Sequence, residues 1–283
     1  MRAGYLPVLA MLAGCSVDSA DTIDRLFADY DSEGMPGAAV MVIRDGEAVV
    51  TRSYGLANVE DGIPVRPGTN FRLASVTKQF TATAVLMLVE EGKLSLDDSI
   101  RQHFPAFPDF ADEITIRHLL QHNSGLEDYE PIYGDPYPEQ ILDRGVVEII
   151  ASTDGTYFPP GSAYRYSNSA YAILATLVEN LSGQSFPAFL RERIFAPIGM
   201  TNTVAYRKGE TTVPNRSFGY TVDGRLVEDA DQSAWSAVLG DGGVYSSVED
   251  LARWDAALYA NDLLSGEMWR KAWTPGLENY GFG

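Results

Sequence analysis

Residues 75–92 read SVTKQFTATAVLMLVEEG, an apolar run around which the rest of the chain has to be arranged. From Val76 to Glu91 the spacing predicts a helix. Phe80, Ala82, Ala84, Val85, Leu86 and Leu88 surround it with apolar groups, and Gly92 supplies the stop. A helix that is apolar all round belongs in a core. Ser75 and Lys78 stand at its start, and three-residue spacing puts hydroxyl and amine on one face. A serine hydroxyl is a weak nucleophile until something takes its proton, and a lysine in apolar surroundings can be neutral enough to do so. The helix N-terminus adds positive potential where an oxyanion would form. With four lysines in the chain, roughly 0.3 such Ser-x-x-Lys pairs arise by chance, so a helix-start serine followed by a solvated lysine is the bland alternative. Position carries more weight, because Lys78 is the first lysine in the chain.

A second polar group of interest is Tyr166-Ser167-Asn168, preceded by Phe158-Pro159-Pro160-Gly161 and followed by a helical pattern. It puts a phenol and an amide at the tip of a turn. The alternative is that Asn168 merely caps the following helix. Tyr259-Ala260-Asn261 repeats the tripeptide and is expected to be a helix end.

Outward from these motifs the chain alternates short elements. Ile23, Leu26, Phe27 and Tyr30 predict an amphipathic helix over 20–33, ended by Gly34 and Pro36. Ala38–Ile43 and Ala48–Tyr54 flank Asp45-Gly46 and predict an antiparallel hairpin. Gly55–Thr69 is expected to be loop, Leu94–Ala111 polar and proline-punctuated, and Tyr129–Pro138 a surface loop. Ile116–Gln121 predicts a short helix, and Ile141–Ala151, Ala170–Leu181 and Phe186–Ile194 predict three more. After Met200 the chain turns loop-like, with a hairpin around Asp223-Gly224. Ser246-Ser247-Val248-Glu249 then forms a capping box that opens a helix over Leu251–Tyr259. There is no internal repeat.

Composition bounds the function. The chain has 283 residues, 45% of them hydrophobic, with 21 Lys+Arg against 39 Asp+Glu for a net charge of −18. It is long enough for a substantial core. A pI near 4.4 without a basic run excludes nucleic-acid partners, because phosphate contacts need clustered Lys and Arg. One cysteine excludes an internal disulfide, and the chain carries no HExxH, paired CxxC or P-loop, so neither metal nor cofactor is expected.

That cysteine sits in MRAGYLPVLAMLAGC, residues 1–15, with one positive charge at Arg2 and an apolar run too short to span a bilayer. Leu12-Ala13-Gly14-Cys15 resembles the bacterial lipobox. The resemblance implies a signal peptide over 1–14 and lipidation of Cys15, with the hydrolase domain over 15–283 held on the periplasmic side of a bacterial envelope. Ser16 and Val17 after the cysteine resemble lipoproteins passed on to an outer membrane. An ordinary secretory signal is the alternative.

Ser75-x-x-Lys78 followed by Tyr166-x-Asn168 resembles the serine β-lactamase and penicillin-binding protein superfamily, and specifically its class C β-lactamase and DD-peptidase-like branch. The surroundings agree: Pro36-Gly37-Ala38, Phe71-Arg72-Leu73-Ala74, His118-Leu119-Leu120-Gln121-His122-Asn123-Ser124-Gly125-Leu126, Pro160-Gly161, Pro197-Ile198-Gly199-Met200, and Gly242-Gly243-Val244-Tyr245-Ser246-Ser247 with Asp250. The resemblance implies an α+β fold, an antiparallel sheet flanked by helices with a mostly helical lobe, and an active site between the two. It implies that Ser75 forms an acyl-enzyme, that Lys78 and Tyr166 share the proton movements, that Asn168 positions Lys78 and the substrate amide, and that the Ser75 N–H is one oxyanion donor. The substrate would be a small molecule or peptide: a β-lactam, a D-alanyl peptide, or another amide or ester.

His118 and His122 do not make a Ser-His-Asp enzyme, since no GxSxG elbow is present. His122 is expected to end a short helix, where an imidazole suits the dipole. Asp241-Gly242-Gly243 is expected to be a tight turn beside the cleft. The superfamily's third motif, Lys-Thr-Gly or His-x-Gly, is not in this sequence, and Tyr280-Gly281-Phe282-Gly283 resembles the start of the sheet segment that would carry it. The expectation is therefore a C-terminally incomplete chain without those strands. A non-catalytic, penicillin-binding-like envelope lipoprotein is the competing reading.

Overall fold

The computed structural model describes residues 19–134, 139–223 and 226–283. Cys15 and its leader, residues 135–138 and the tip of the Asp223-Gly224 hairpin lie outside them. In chain order the elements are α1 (Ser19–Leu26), β1 (Ala38–Arg44), β2 (Glu47–Tyr54), β3 (Leu56–Asn58), β4 (Ile63–Pro64), β5 (Phe71–Arg72), α2 (Lys78–Glu90), α3 (Ile100–His103), α4 (Ile116–Leu120), α5 (Tyr129–Tyr133), α6 (Asp143–Ala151), α7 (Asn168–Ser182), α8 (Phe186–Leu190), β6 (Val204–Ala205), β7 (Tyr220–Asp223), β8 (Leu226–Asp229), α9 (Leu239–Gly242), β9 (Val244–Ser246), α10 (Val248–Ala260) and α11 (Gly266–Trp273).

The architecture is α+β, as expected. β1 and β2 pair antiparallel from Ala38 opposite Tyr54 to Arg44 opposite Glu47. Asp45 and Gly46 both take positive φ at the turn, the conformation for which Asp-Gly is suited. Among the described residues the remaining strands form three further small antiparallel groups: β3 with β4, β7 with β8, and β9 between β5 and β6.

The helical body is built on α2 and α7, which are buried nearly end to end. Phe80 meets Phe195 edge-on and Trp254 at a tilt, so α2 packs against the turn that follows α8 and against α10. The segment expected to be merely polar, Leu94–Ala111, corrects that expectation. Leu94, Leu96, Ile100, Phe104, Phe107 and Ala111 are all buried in the same core, because their polar neighbours are spaced to face solvent. The helix predicted over 20–33 breaks after Leu26 into a 3-10 turn over Ala28–Asp31. Leu26 is 72% exposed. Phe27 instead stacks on Tyr54, whose hydroxyl donates to Asp24 at 2.7 Å.

Caps follow hydroxyl placement. Thr115 accepts from the His118 N–H while the Thr115 N–H donates to His118 Nδ1, a reciprocal box that fixes α4. The cap of α10 is Ser247, which accepts from the Asp250 N–H, one residue later than the box read from Ser246 and Glu249. No pattern in the sequence predicts α11; Ser265 caps it, and its own Trp269 and Ala272 are buried.

The short turn α9 is held from several sides. Asp143, buried in the first turn of α6, accepts from the Leu239 N–H at 3.0 Å and the Gly240 N–H at 2.8 Å. Thr81 of α2 donates to the Gly240 carbonyl at 2.7 Å. Gly240 is required there, since a Cβ would lie 2.3 Å from the Tyr171 carbonyl oxygen.

Burial raises the Asp143 carboxyl from 3.8 to about 6, against the pull of these two N–H groups. The native chain thus binds more protons than the unfolded chain between those values, and this group's contribution to stability falls as pH rises through about 6. Asp143→Ala is expected to lower the unfolding free energy by about 1–3 kcal/mol for each orphaned N–H, read by urea melts. Asp143→Asn should lose less and flatten the pH dependence across that window.

Candidate functional site

The 3-10 turn Ala74–Thr77 leads directly into α2, so Ser75 sits on the turn and Lys78 opens the helix. Residues at i and i+3 eclipse in such a turn, which brings hydroxyl and amine closer than an α-helix start would. Ala74 adopts φ +46°, a left-handed conformation that costs an alanine on the order of 1–3 kcal/mol. The surrounding bonds hold it: the Leu73 N–H donates to the Val244 carbonyl at 2.8 Å and the Val244 N–H to the Thr77 hydroxyl at 3.2 Å. Ser75 is thereby left exposed while Lys78, only 1% exposed, is buried behind it.

The Lys78 ammonium has three donors and three acceptors. Nζ donates to Ser75 Oγ at 3.2 Å, to Asn168 Oδ1 at 2.8 Å and to the Asp241 carbonyl at 2.9 Å. It also lies 4.8 Å from the centroid of the Tyr166 ring and 5.5 Å from that of Tyr171. Burial lowers its pKa from 10.5 to about 8, opposed by the charges of Asp241, Glu130 and Asp128. The solvated-lysine alternative is therefore excluded.

Asn168 is not the cap of α7. Ser167 caps it, accepting from the Ala170 N–H, and frees the Asn168 amide for the site. Its Oδ1 faces the Lys78 ammonium, its Nδ2 donates to Glu130 Oε1 at 2.5 Å, and its backbone N–H donates to Asp128 Oδ1 at 3.2 Å. One orientation of the amide satisfies both partners, acceptor to cation and donor to carboxylate.

Tyr166 is 39% exposed, with its ring against His122 and Lys78. Burial raises its pKa above 10.0, with the nearby Ser75 hydroxyl opposing. The two groups are thus shifted in opposite senses. Burial disfavours the charged form of each, the ammonium of Lys78 and the phenolate of Tyr166.

Several functional neighbours were not assigned from the sequence. Asp241, expected to be a turn residue only, lies in α9 and contributes its carbonyl to Lys78; its carboxylate accepts from the buried Tyr129 hydroxyl at 3.0 Å. Burial pushes this carboxyl up. Tyr129–Tyr133, expected within a surface loop, is α5, with Tyr129 buried and Glu130 beside Asn168. Tyr129 is drawn inward because its ring is apolar and its hydroxyl finds Asp241.

His122 follows the end of α4, as expected, but not for the expected reason. It is 0% exposed and stacks on Tyr166 with ring centroids 4.2 Å apart. Nδ1 accepts from the Ser167 N–H at 3.0 Å, which leaves Nε2 to bond the Tyr280 hydroxyl at 3.2 Å. Burial, together with the Lys78 charge, lowers its pKa from 6.5 to about 3. A neutral ring gives no charge for a helix dipole to stabilise. Its role is to hold Tyr166 and Ser167 in place.

Ser75, Asn168, Arg72, Glu130, Trp235, Ser236 and Asp241 line a cleft of about 200 Å³. A groove of about 770 Å³ lies between Met41 and Ile43 of β1 and Leu251 and Tyr259 of α10, but no nucleophile and base meet there. Among the described residues no group of His, Cys, Asp and Glu is arranged to hold a metal ion. The arrangement can deliver an activated hydroxyl to a carbonyl carbon.

His122 is expected to remain an uncharged Nε2–H tautomer throughout the native pH range, read from its imidazole nitrogen shifts by NMR. The unfolded chain takes up this proton below about 6.5 and the native chain only near 3, so the His122 contribution to stability falls as pH drops through that window.

Residues 23–282 match the Beta-lactamase family. A penicillin-binding protein of Bacillus subtilis (strain 168) is 30% identical over 281 residues, covering 92% of this chain and 62% of that protein. A D-aminopeptidase of Gluconobacter oxydans (strain 621H) is 31% identical over 225 residues, covering 78% of this chain and 42% of that protein. The chain spans less than two thirds of the length of either. The octameric penicillin-binding protein homologue from Pyrococcus abyssi matches with a TM-score of 0.79 at 27% identity, over 93% of this chain and 64% of that one. The D-amino acid amidase from Ochrobactrum anthropi SV3, complexed with L-phenylalanine amide, matches with a TM-score of 0.75 at 27% identity, over 89% and 73%. With the α+β fold and the Ser75, Lys78, Tyr166 and Asn168 constellation brought together, the chain belongs to the Beta-lactamase family, within the serine β-lactamase and penicillin-binding protein superfamily.

Proposed function

We propose that the chain is a serine hydrolase that acts by acyl transfer on amide or ester bonds. The observation that carries this reading is the buried Lys78 amine, lowered toward neutrality and joined to the exposed Ser75 hydroxyl at 3.2 Å. Relatives named as a D-aminopeptidase and a D-amino acid amidase support amides as one substrate class.

In this mechanism Ser75 Oγ attacks the carbonyl carbon as its proton passes to unprotonated Lys78. The oxyanion that forms faces the Ser75 N–H at the head of α2, where the helix dipole favours negative charge. Collapse breaks the bond to the amine or alcohol, which leaves with a proton relayed from Lys78 through the Tyr166 phenol. Water then attacks the acyl-serine, gives its proton to Lys78, and releases the acid as Ser75 is reprotonated. Lys78 is the base of choice because burial lowers its pKa while raising that of Tyr166. Asn168 keeps the amine on Ser75 through its Oδ1.

We further propose that the protein is exported and lipid-anchored at Cys15 on the periplasmic side of a bacterial envelope, a reading supported by Leu12-Ala13-Gly14-Cys15. Among the described residues no helix is long and apolar enough to cross a membrane. Cys15→Ser is expected to abolish metabolic incorporation of labelled palmitate; incorporation that persists removes the anchor assignment.

Ser75→Ala should abolish covalent labelling by a fluorophosphonate or an activated ester, read by intact mass. Labelling that survives would sink the acyl-transfer assignment. Lys78→Ala should slow Ser75 acylation by about 10²–10⁴-fold. In the wild type the acylation rate should rise with pH and level off above about 8, as Lys78 loses its proton.

A further inference from the structure

Asp241 meets the base with two different groups. Its carbonyl accepts from the Lys78 ammonium at 2.9 Å, a bond that any residue at this position could offer. Its carboxylate is specific to aspartate, is buried, and stands at the wall of the Ser75 cleft. Among the described residues the one donor to that carboxylate is the Tyr129 hydroxyl, at 3.0 Å on Oδ2.

The ammonium and the carboxylate of this residue pair therefore lie near each other without a direct bond. All three Lys78 donors are taken, by Ser75, Asn168 and the Asp241 carbonyl. A carboxylate bonded straight to the ammonium would displace one of these and hold the proton on Lys78. Turned aside to Tyr129, the same charge raises the proton affinity of the amine through space and leaves its donors where they are.

Other charged groups face the pair. Glu130 of α5 and the preceding Asp128 add negative charge, as does Asp143 of α6. Arg72 of β5 lines the cleft with its Nε on the Gly242 carbonyl at 3.1 Å. Tyr166 and Tyr171 turn their rings to the ammonium, and His122 is uncharged. Among the carboxylates near Lys78, Asp241 opposes the effect of burial most, ahead of Glu130 and Asp128. Those two are only half-buried, so solvent screens them more.

We propose that Asp241 is a positioning residue for the base: its carboxylate, held off the ammonium by Tyr129, keeps in the buried Lys78 amine the proton affinity needed to take the Ser75 proton, and so sets the pH range in which Ser75 is acylated. The proposal deepens the acyl-transfer reading and rests on it. Without that charge burial acts less opposed, and the amine gives up its proton at lower pH and is a weaker base.

The test follows Lys78 both directly and through the reaction. The chain has four lysines, so isotope labelling of lysine side chains gives few NMR signals, and that of Lys78 is the one lost in Lys78→Ala. Asp241→Asn removes the charge while keeping the backbone carbonyl and an acceptor oxygen for Tyr129, and its melting transition reports folding. The Lys78 titration and the inflection in the rate of Ser75 labelling by a fluorophosphonate should both move to lower pH, by about one pH unit or more. Tyr129→Phe removes the hydrogen bond that favours the ionised carboxyl; it should move both in the same sense by less, and it decides the matter if Asp241→Asn does not fold. An unmoved Lys78 titration in the folded variant overturns the proposal and leaves the acyl-transfer reading standing. A titration that moves while the labelling inflection stays in place means that another group takes the Ser75 proton, which also overturns it. Failure of the phosphonate to label Ser75 in the wild type overturns the acyl-transfer reading, and the proposal with it.

Discussion

A buried ammonium with every proton assigned is the constraint on which the site depends. Taking Lys78 out of water is costly, and the cost is met by acceptors from three separate places in the chain: the turn before α2, the first residue of α7, and the turn α9. Each must be in register for the others to be useful. The nearby carboxylates favour the charged amine and burial disfavours it, and burial prevails. The amine is thus held near the balance point at which it can both take a proton from a hydroxyl and give it back.

Around that amine the fold supplies supports that have no chemistry of their own. Asp143, Thr81 and Tyr129 fix α9 from α6, α2 and α5, so the Asp241 carbonyl has little freedom to swing away. On the other side His122 fixes Tyr166 by stacking and Ser167 by a hydrogen bond. It can do this beside Lys78 because it is uncharged; an imidazolium in that place would repel the ammonium. The same low polarity that makes Lys78 a usable base therefore makes His122 unusable as one.

Local pattern made the central parts legible. The run at 75–92, the Asp45-Gly46 hairpin and the helix after Tyr166 each carry their own signal in period or turn chemistry, and the Ser75 and Tyr166 motifs identified the family. What escaped were residues whose role depends on distant partners. Glu130 and Tyr129 lie in a stretch rich in Tyr and Pro that resembles surface loop, and only the approach of Asn168 and Asp241 draws them inward. Asp241 acts through its backbone carbonyl, which no residue type announces. The burial of Leu94–Ala111 is not legible in the sequence because its apolar residues are scattered among polar ones and are collected by tertiary packing rather than by a period. A signal is present for His122 in the residues around it, but a helix dipole acts only on a charged ring, and burial removes that charge.

Asn168 meets a demand that few side chains could meet. It bridges a cation and a carboxylate, which requires one acceptor and one donor on the same short side chain. Aspartate would offer a second acceptor toward Glu130 and add a like charge beside it; serine is too short to span both. The amide also lets the Lys78 and Glu130 charges sit near each other without pairing directly. Were they to pair, the carboxylate would hold the ammonium in its protonated form and the hydroxyl of Ser75 would lose its base. By standing between them, Asn168 keeps the amine available to the nucleophile and leaves the carboxylate facing the cleft.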